Sequence, residues 1–360
     1  MLMKIALVTF QRAINHGAAL QMYALYTALK KNGCQVKILD YIPDYPNYPG
    51  GLKQKIANIL NQKHDRIKEK KYEEFRRQLI GDDMTAPITY DRLSEIENDF
   101  DSFIAGSDQI WNYHCGHFDK YYFLDFLRDD SKKHTYAVSF NLKSIPKDKT
   151  EEYTRRISPF RQISVRETDG AEAVKALTGK DAVIHVDPTL LLTKDEWEAI
   201  LPKAPDEKYI AIYTLCKPVK LVEKARELAK ATGCKIYYLS DFFSNLDLKH
   251  VRGLGPLEFL SFLDNAEYVF TNSFHGTAFS VNLHKNFFCE FTTQSKYNFR
   301  AEALIKRCNL LDRAVDNTED VIEISKNAIN WNEVEMILNE ERSRSQKYLS
   351  EILNGSESFE

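Results

Sequence analysis

The sequence of 360 residues has no excess of positive charge: 49 Lys and Arg face 52 Asp and Glu, for a formal net charge of −3. A chain of that balance cannot neutralise a phosphate backbone, so nucleic acid is excluded as an expected partner. Glycine (14) and proline (11) are too few for a flexible or collagen-like chain. The six cysteines, Cys34, Cys115, Cys216, Cys234, Cys289 and Cys308, are scattered, with no C-x-x-C and no histidine at zinc spacing. That leaves no metal site in view and reads as buried thiols, with Cys289, between Phe288 and Glu290, the one best placed to wall a pocket. Long hydrophobic runs are missing too. Ile5 to Val8 is followed within four residues by Gln11 and Arg12, which is too short for a signal peptide or a membrane span. A cytoplasmic protein without a span is expected, with peripheral membrane association left open.

What is present is a composition of 43% hydrophobic, 12% aromatic and 28% charged residues, enough to bury sizeable cores. At about 150 residues per domain the length suggests two. Residues 4–9 (KIALVT), the helical pattern Met22, Leu25, Leu29 closed by Gly33, and 36–41 (VKILDY) make a strand–helix–strand unit, the building block of a parallel sheet. A proline-rich loop is expected over 43–50 and a charged helical insertion or lid over 52–80, mobile because it has little apolar surface to bury. Further strands are expected at 102–105, 121–126, 134–140, 163–166 and 182–186, with helices such as 149–158 and 168–177 between them. A second strand–helix series then runs from 209 to 291, after a join at 193–207. The expected architecture is α/β, two Rossmann-like domains (1–192 and 205–330) facing a central cleft, with a helix at 331–360 packing back on the first domain.

Five motifs lie at strand ends. Asn15-His16-Gly17-Ala18-Ala19-Leu20-Gln21 opens the first helix, where small residues and free N–H groups favour an anion or a hydroxyl-rich ligand, although tight helix packing explains them equally. It is not a dinucleotide fingerprint. Gly106-Ser107-Asp108-Gln109-Ile110-Trp111-Asn112 offers donors and acceptors to sugar hydroxyls and a ring to stack on them, or else an ordinary helix cap. Ile163-Ser164-Val165-Arg166-Glu167 delivers an arginine suited to carboxylate or phosphate, or to an ion pair with Glu167 or Asp187. His185-Val186-Asp187-Pro188-Thr189 is another strand with a polar end. In Thr271-Asn272-Ser273-Phe274-His275-Gly276-Thr277 a hydrophobic strand meets a helix start. There His275 can act as acid or base while Ser273, Thr277 and the helix N-terminus hold an anion.

In this order NHGAALQMYAL, AGSDQIWN, YYFLDF, YAVSF, ISVRE, VDPTLLL with EW, and TNSFHGTAFS with NFF resemble the polysaccharide pyruvyl transferase family, from Lys4 to about Arg313. The resemblance implies a glycosyltransferase-B-like fold. It also implies transfer of the enolpyruvyl group of phosphoenolpyruvate onto two hydroxyls of one sugar, forming a cyclic ketal and releasing phosphate. It makes His275 the acid and Asp108 or Asp187 the base. Arg166, Ser273, Gly276, Thr277 and Arg300 would bind the donor, and Asn15, Gly17, Gln21, Ser107, Gln109 and Trp111 the acceptor. Relatives often carry arginine where this chain has Phe274, and Arg300, in Tyr297-Asn298-Phe299-Arg300, is the expected substitute. Phosphoenolpyruvate is then a co-substrate, no cofactor or metal is required, and the partner is a sugar in a surface polysaccharide or its precursor, whether lipid-linked, nucleotide-linked or polymeric. The alternatives are a nucleotide-sugar glycosyltransferase of the same fold and a catalytically silent carbohydrate-binding protein.

Overall fold

A computed structural model describes residues 2–43, 52–142, 145–239, 247–293, 298–318 and 320–354, so all of the expected 43–50 loop but its first residue lies outside them. The chain divides into two compact units, Met1–Tyr48 with Arg76–Leu191 and Glu340–Glu360, and Pro49–Phe75 with Leu192–Asn339.

Unit 1 is built on β1 (Lys4–Val8), α1 (His16–Lys31), β2 (Gln35–Ile38), the end of α2 (Leu52–Leu79), β3 (Ser102–Asp108), β4 (Lys133–Val138), α3 (Thr150–Ile157), β5 (Ser164–Val165), α4 (Thr168–Thr178) and β6 (Val183–Ile184). Its six strands lie in the order β2-β1-β3-β4-β5-β6, all parallel. Strand order reverses between β1 and β3, and such a switch point opens a crevice at the carboxyl ends of the strands. The core beneath it is rich in aromatics, with Trp111, Tyr121, Phe123, Phe140, Tyr153 and Phe160 packed among Val8, Val138 and Val165.

Unit 2 holds α5 (Lys194–Glu198), β7 (Tyr209–Tyr213), α6 (Leu221–Thr232), β8 (Lys235–Tyr238), β9 (Lys249–His250), α7 (Pro256–Asp264), β10 (Tyr268–Thr271), α8 (Phe274–Asn282), β11 (Phe287–Cys289), α9 (Phe299–Arg307), α10 (Val321–Lys326) and the start of α11 (Trp331–Asn354). The sheet order is β11-β10-β7-β8-β9, again parallel. Here the order reverses between β7 and β10.

Three expectations change. Residues 121–126 are not a strand: Lys120–Phe123 is a 3-10 turn capped by the Asp119 carboxylate and closed by Leu124 at φ 55°. A continuous apolar run has no period to separate a strand from a buried turn. The 52–80 segment is helical as expected, but it has more apolar surface to bury than its charge suggests, since Tyr72 and Phe75 are buried. It packs on unit 2, where Lys71 pairs with Glu258 at 2.6 Å and a Cβ on Gly253 would lie 3.4 Å from Ile67. The cysteines are all free, but only Cys34, Cys289 and Cys308 are buried. Cys289 sits inside β11, its thiol raised well above its ordinary value by burial and then by Asp316.

The carboxyl half of α11 belongs to unit 1. Arg342 Nε donates to the Leu190 carbonyl at 2.8 Å and the Tyr348 hydroxyl to that of Thr135 at 3.0 Å. Tyr348 also covers the buried His185, ring centroids 4.6 Å apart, while His185 Nδ1 meets Ser164 Oγ at 2.8 Å. Burial, and secondarily Arg344, lowers the His185 pKa from 6.5 to about 4; burial and Arg161 do the same for His134. Both imidazoles are therefore neutral when folded and gain a proton more readily when unfolded. Stability is complete above the unfolded value of 6.5 and falls as pH drops toward about 4, by up to about 1.4 kcal/mol per pH unit for each histidine. Urea denaturation between pH 7 and pH 4.5 should show a midpoint that declines with acid, and His185→Gln should make the decline shallower. An unchanged slope in that variant would remove His185 from the effect.

Candidate functional site

At the switch point of unit 1 a buried side chain ties two strand ends together. Gln21, wholly buried on α1, donates through Nε2 to Thr9 Oγ1 (2.8 Å) and to the Ala18 carbonyl (3.1 Å), while its Oε1 accepts the Ser107 N–H at 3.2 Å. Gln21 thus joins the ends of β1 and β3 and has no amide atom to offer a sugar. The Ser107 hydroxyl is likewise buried and donates to the Ala137 carbonyl at 2.6 Å. Asn15 caps α1, its Oδ1 accepting the Ala18 N–H at 3.0 Å, and Gly17 is buried in the first turn. Gln109 stays half-buried, its Oε1 accepting from Asn112 and Asn141, both at 2.9 Å.

Trp111 is a correction. Its indole is 0% exposed, its N–H donates to the Tyr122 carbonyl at 3.1 Å, and its ring stacks on Phe123 at 5.4 Å. An aromatic surface that large gains more from the core than from a strand-end loop, and it leaves no face for a sugar ring.

At the other strand ends Arg166, its side chain 3% exposed, pairs directly with Asp187 and lies 3.5 Å from Asp108 and 3.9 Å from Glu167. Burial alone would lower its pKa, yet Asp187, then Asp108 and Glu167, outweigh burial and raise it. The ion pair that the sequence left open is therefore formed. Enclosed by these carboxylates, Arg166 is not the open cation a dianionic donor calls for. Asp187 is also committed, since its Oδ1 accepts both the N–H (3.0 Å) and the hydroxyl (2.7 Å) of Thr189. With both oxygens bonded and the side chain 0% exposed, Asp187 cannot serve as a base. Asp108 accepts the Gln109 N–H through Oδ1 at 2.8 Å and keeps its place at the end of β3. Glu167, which sequence reasoning considered only as an ion-pair partner, accepts from Ser139 Oγ (2.8 Å) and the N–H groups of Phe140 (2.8 Å) and Asn141 (3.0 Å).

In unit 2 the TNSFHGT motif sits beside the switch point. Ser273 caps α8, its Oγ accepting the Gly276 N–H at 3.3 Å, and its carbonyl accepts from both the N–H and the hydroxyl of Thr277 (3.0 Å each). Thr277 is 0% exposed, so its hydroxyl serves the helix and not an anion. Gly276 is required by packing: a Cβ there would lie 2.2 Å from Thr271 Oγ1. His275 lies in the first turn of α8, 7% exposed, its ring edge-on to Phe274 at 5.2 Å. The Arg300 guanidinium is 5.2 Å from the centroid of the same Phe274 ring. A basic side chain therefore reaches the position next to His275 from α9. The Asn272 side chain links this turn to the β7–α6 loop, accepting the Leu215 N–H at 2.9 Å and donating to the Cys216 carbonyl at 2.8 Å. Buried Glu290 caps α6 by accepting the N–H groups of Val219, Lys220 and Leu221; burial raises its pKa despite those bonds.

Two parallel sheets flanked by helices, with polar strand ends gathered at both switch points, define a glycosyltransferase-B-like α/β protein. The polysaccharide pyruvyl transferase family model matches residues 15–289, and the chain belongs to that family. Curated protein sequences give no significant match. Among solved structures the chain is similar to the UDP-GlcNAc 2-epimerase from Neisseria meningitidis bound to UDP-GlcNAc, at 12% identity and TM-score 0.56, covering 99% of this chain and 100% of that one. It is also similar to the UDP-GlcNAc 2-epimerase from Methanocaldococcus jannaschii, at 12% identity and TM-score 0.51, with the same coverage. Likeness at this identity concerns the fold. Among the described residues no helix is long and apolar enough to cross a membrane.

Two substitutions test the geometry. Arg166→Met strands buried carboxylates without their counter-charge and should cost about 3–5 kcal/mol in urea denaturation; a loss within experimental error would mean that the cluster reorganises or protonates at no cost. Gly276→Ala should cost about 1–3 kcal/mol by forcing α8 away from Thr271, and wild-type stability would contradict the close approach.

Proposed function

We propose that the chain transfers the enolpyruvyl group of phosphoenolpyruvate onto two hydroxyls of one sugar in a surface polysaccharide or its precursor, in the cytoplasm and with no cofactor. The observation that carries this reading is the Arg300 guanidinium set over Phe274 beside His275, in a chain of this family. In this reading Arg300 stands in for the arginine that many relatives carry at the Phe274 position. In this reading Arg300 and the first turn of α8 hold the donor's phosphate and carboxylate, and His275 delivers a proton to the donor's methylene carbon. One sugar hydroxyl then attacks the adjacent carbon and loses its proton. Phosphate departs, and the second hydroxyl closes the ketal with loss of its own proton. Asp108 is the base, held by Arg166, while Gln109, Asn15 and Asn141 face the acceptor. Arg166 acts on the donor only by exchanging one of its carboxylates, so its first role is to position Asp108.

With phosphoenolpyruvate at 100 times its Kd the folded state should gain about 2.7 kcal/mol, read as a thermal shift that nucleotide sugars do not produce. A panel of hexose acceptors should then show phosphate release and the mass gain of a pyruvyl ketal. A shift with nucleotide sugars alone would favour a glycosyltransferase. No response to either donor would leave the carbohydrate-binding alternative. His275→Asn should keep most donor affinity and lose at least ~100-fold in kcat; near-normal turnover would show that another group delivers the proton.

A further inference from the structure

Asn298, the residue just before α9, is bonded to three separate segments. Its N–H donates to the Phe291 carbonyl beyond β11 (3.0 Å), its Oδ1 accepts the Ala301 N–H in the first turn of α9 (3.3 Å), and its Nδ2 donates to the Asn272 carbonyl (3.1 Å). Only one orientation of the amide satisfies both side-chain bonds, because the helix offers a donor and the Asn272 carbonyl an acceptor. The Asn272 carbonyl belongs to the turn that carries Ser273 and His275, and the Asn272 side chain pins that turn to the β7–α6 loop. Arg300 follows Asn298 by two residues on the helix that Asn298 caps.

We propose that Asn298 is a positioning residue that fixes the Arg300 guanidinium over Phe274, beside His275, through its bond to the Asn272 carbonyl. This rests on the reading of Arg300 as the donor-binding cation. An arginine at a helix start has four side-chain torsions and a mobile backbone turn beneath it. Tying that turn to the strand end removes the backbone freedom, leaving the guanidinium to find the Phe274 face. A cap alone would not do this, since it orders the helix internally without setting its distance from the His275 turn.

Asn298→Ser separates the two roles. Serine caps helices about as well as asparagine and adds no charge, but its short hydroxyl cannot cap α9 and also reach the Asn272 carbonyl. Two measurements on the full chain are decisive: the Kd for phosphoenolpyruvate by calorimetry, and the rate at which phenylglyoxal modifies the Arg300 peptide, followed by mass without ligand. In Asn298→Ser the Kd should rise about tenfold, the scale of one weakened charge-assisted contact, and Arg300 should react several-fold faster. On an Arg300→Gln background the same change should raise Kd by no more than about twofold, because residues acting through one another are not additive. Wild-type reactivity of Arg300 in Asn298→Ser overturns the proposal, and so does full additivity in the double variant. Should the wild type fail to bind phosphoenolpyruvate, the donor reading falls, and Arg300 reactivity alone then decides whether Asn298 positions it.

Discussion

The guanidinium of Arg166 gathers the carboxyl ends of four neighbouring strands in unit 1. It pairs with Asp187 beyond β6 and Asp108 at the end of β3, and it lies beside Glu167, which follows β5 and in turn receives the backbone leaving β4. Carboxylates this buried would repel one another and lose their hydration without a shared cation. The loops that carry Gln109, Asn141 and Thr189 take their positions from this charge arrangement, so the polar edge of the sheet is a product of it.

Unit 2 also uses a carboxylate at a strand end, Glu290 after β11, which caps α6, and adds neutral ties. Its strand ends are joined by amides: the Asn272 side chain to the β7–α6 loop, and Asn298 to the Asn272 carbonyl. Close approach of α8 to β10 at Gly276 then puts the His275 turn against the strand end.

Much of this was legible in the sequence because strand–helix alternation has a period and parallel sheets place loops at one edge. The strands at 102–105, 209–214 and 268–272 and the helix starts at 15 and 275 follow from that pattern. The aromatic run at 121–126 and the role of Trp111 do not, because an apolar residue next to a polar motif looks the same whether it faces a ligand or the core. The same ambiguity hid Tyr72 and Phe75 among the charges of α2.

By itself the sequence determined the family, the two parallel α/β series and the short list of polar residues at strand ends, since these depend on local pattern and order along the chain. Which of those residues remain available for chemistry was decided only in three dimensions. Gln21, Ser107, Asp187 and Thr277 are consumed by partners distant in sequence or by their own helix, and Trp111 by the core. Arg300 reaches Phe274 from another helix altogether. Hydrogen-bond and charge satisfaction is a property of neighbours in space, and a one-dimensional pattern does not specify who those neighbours are.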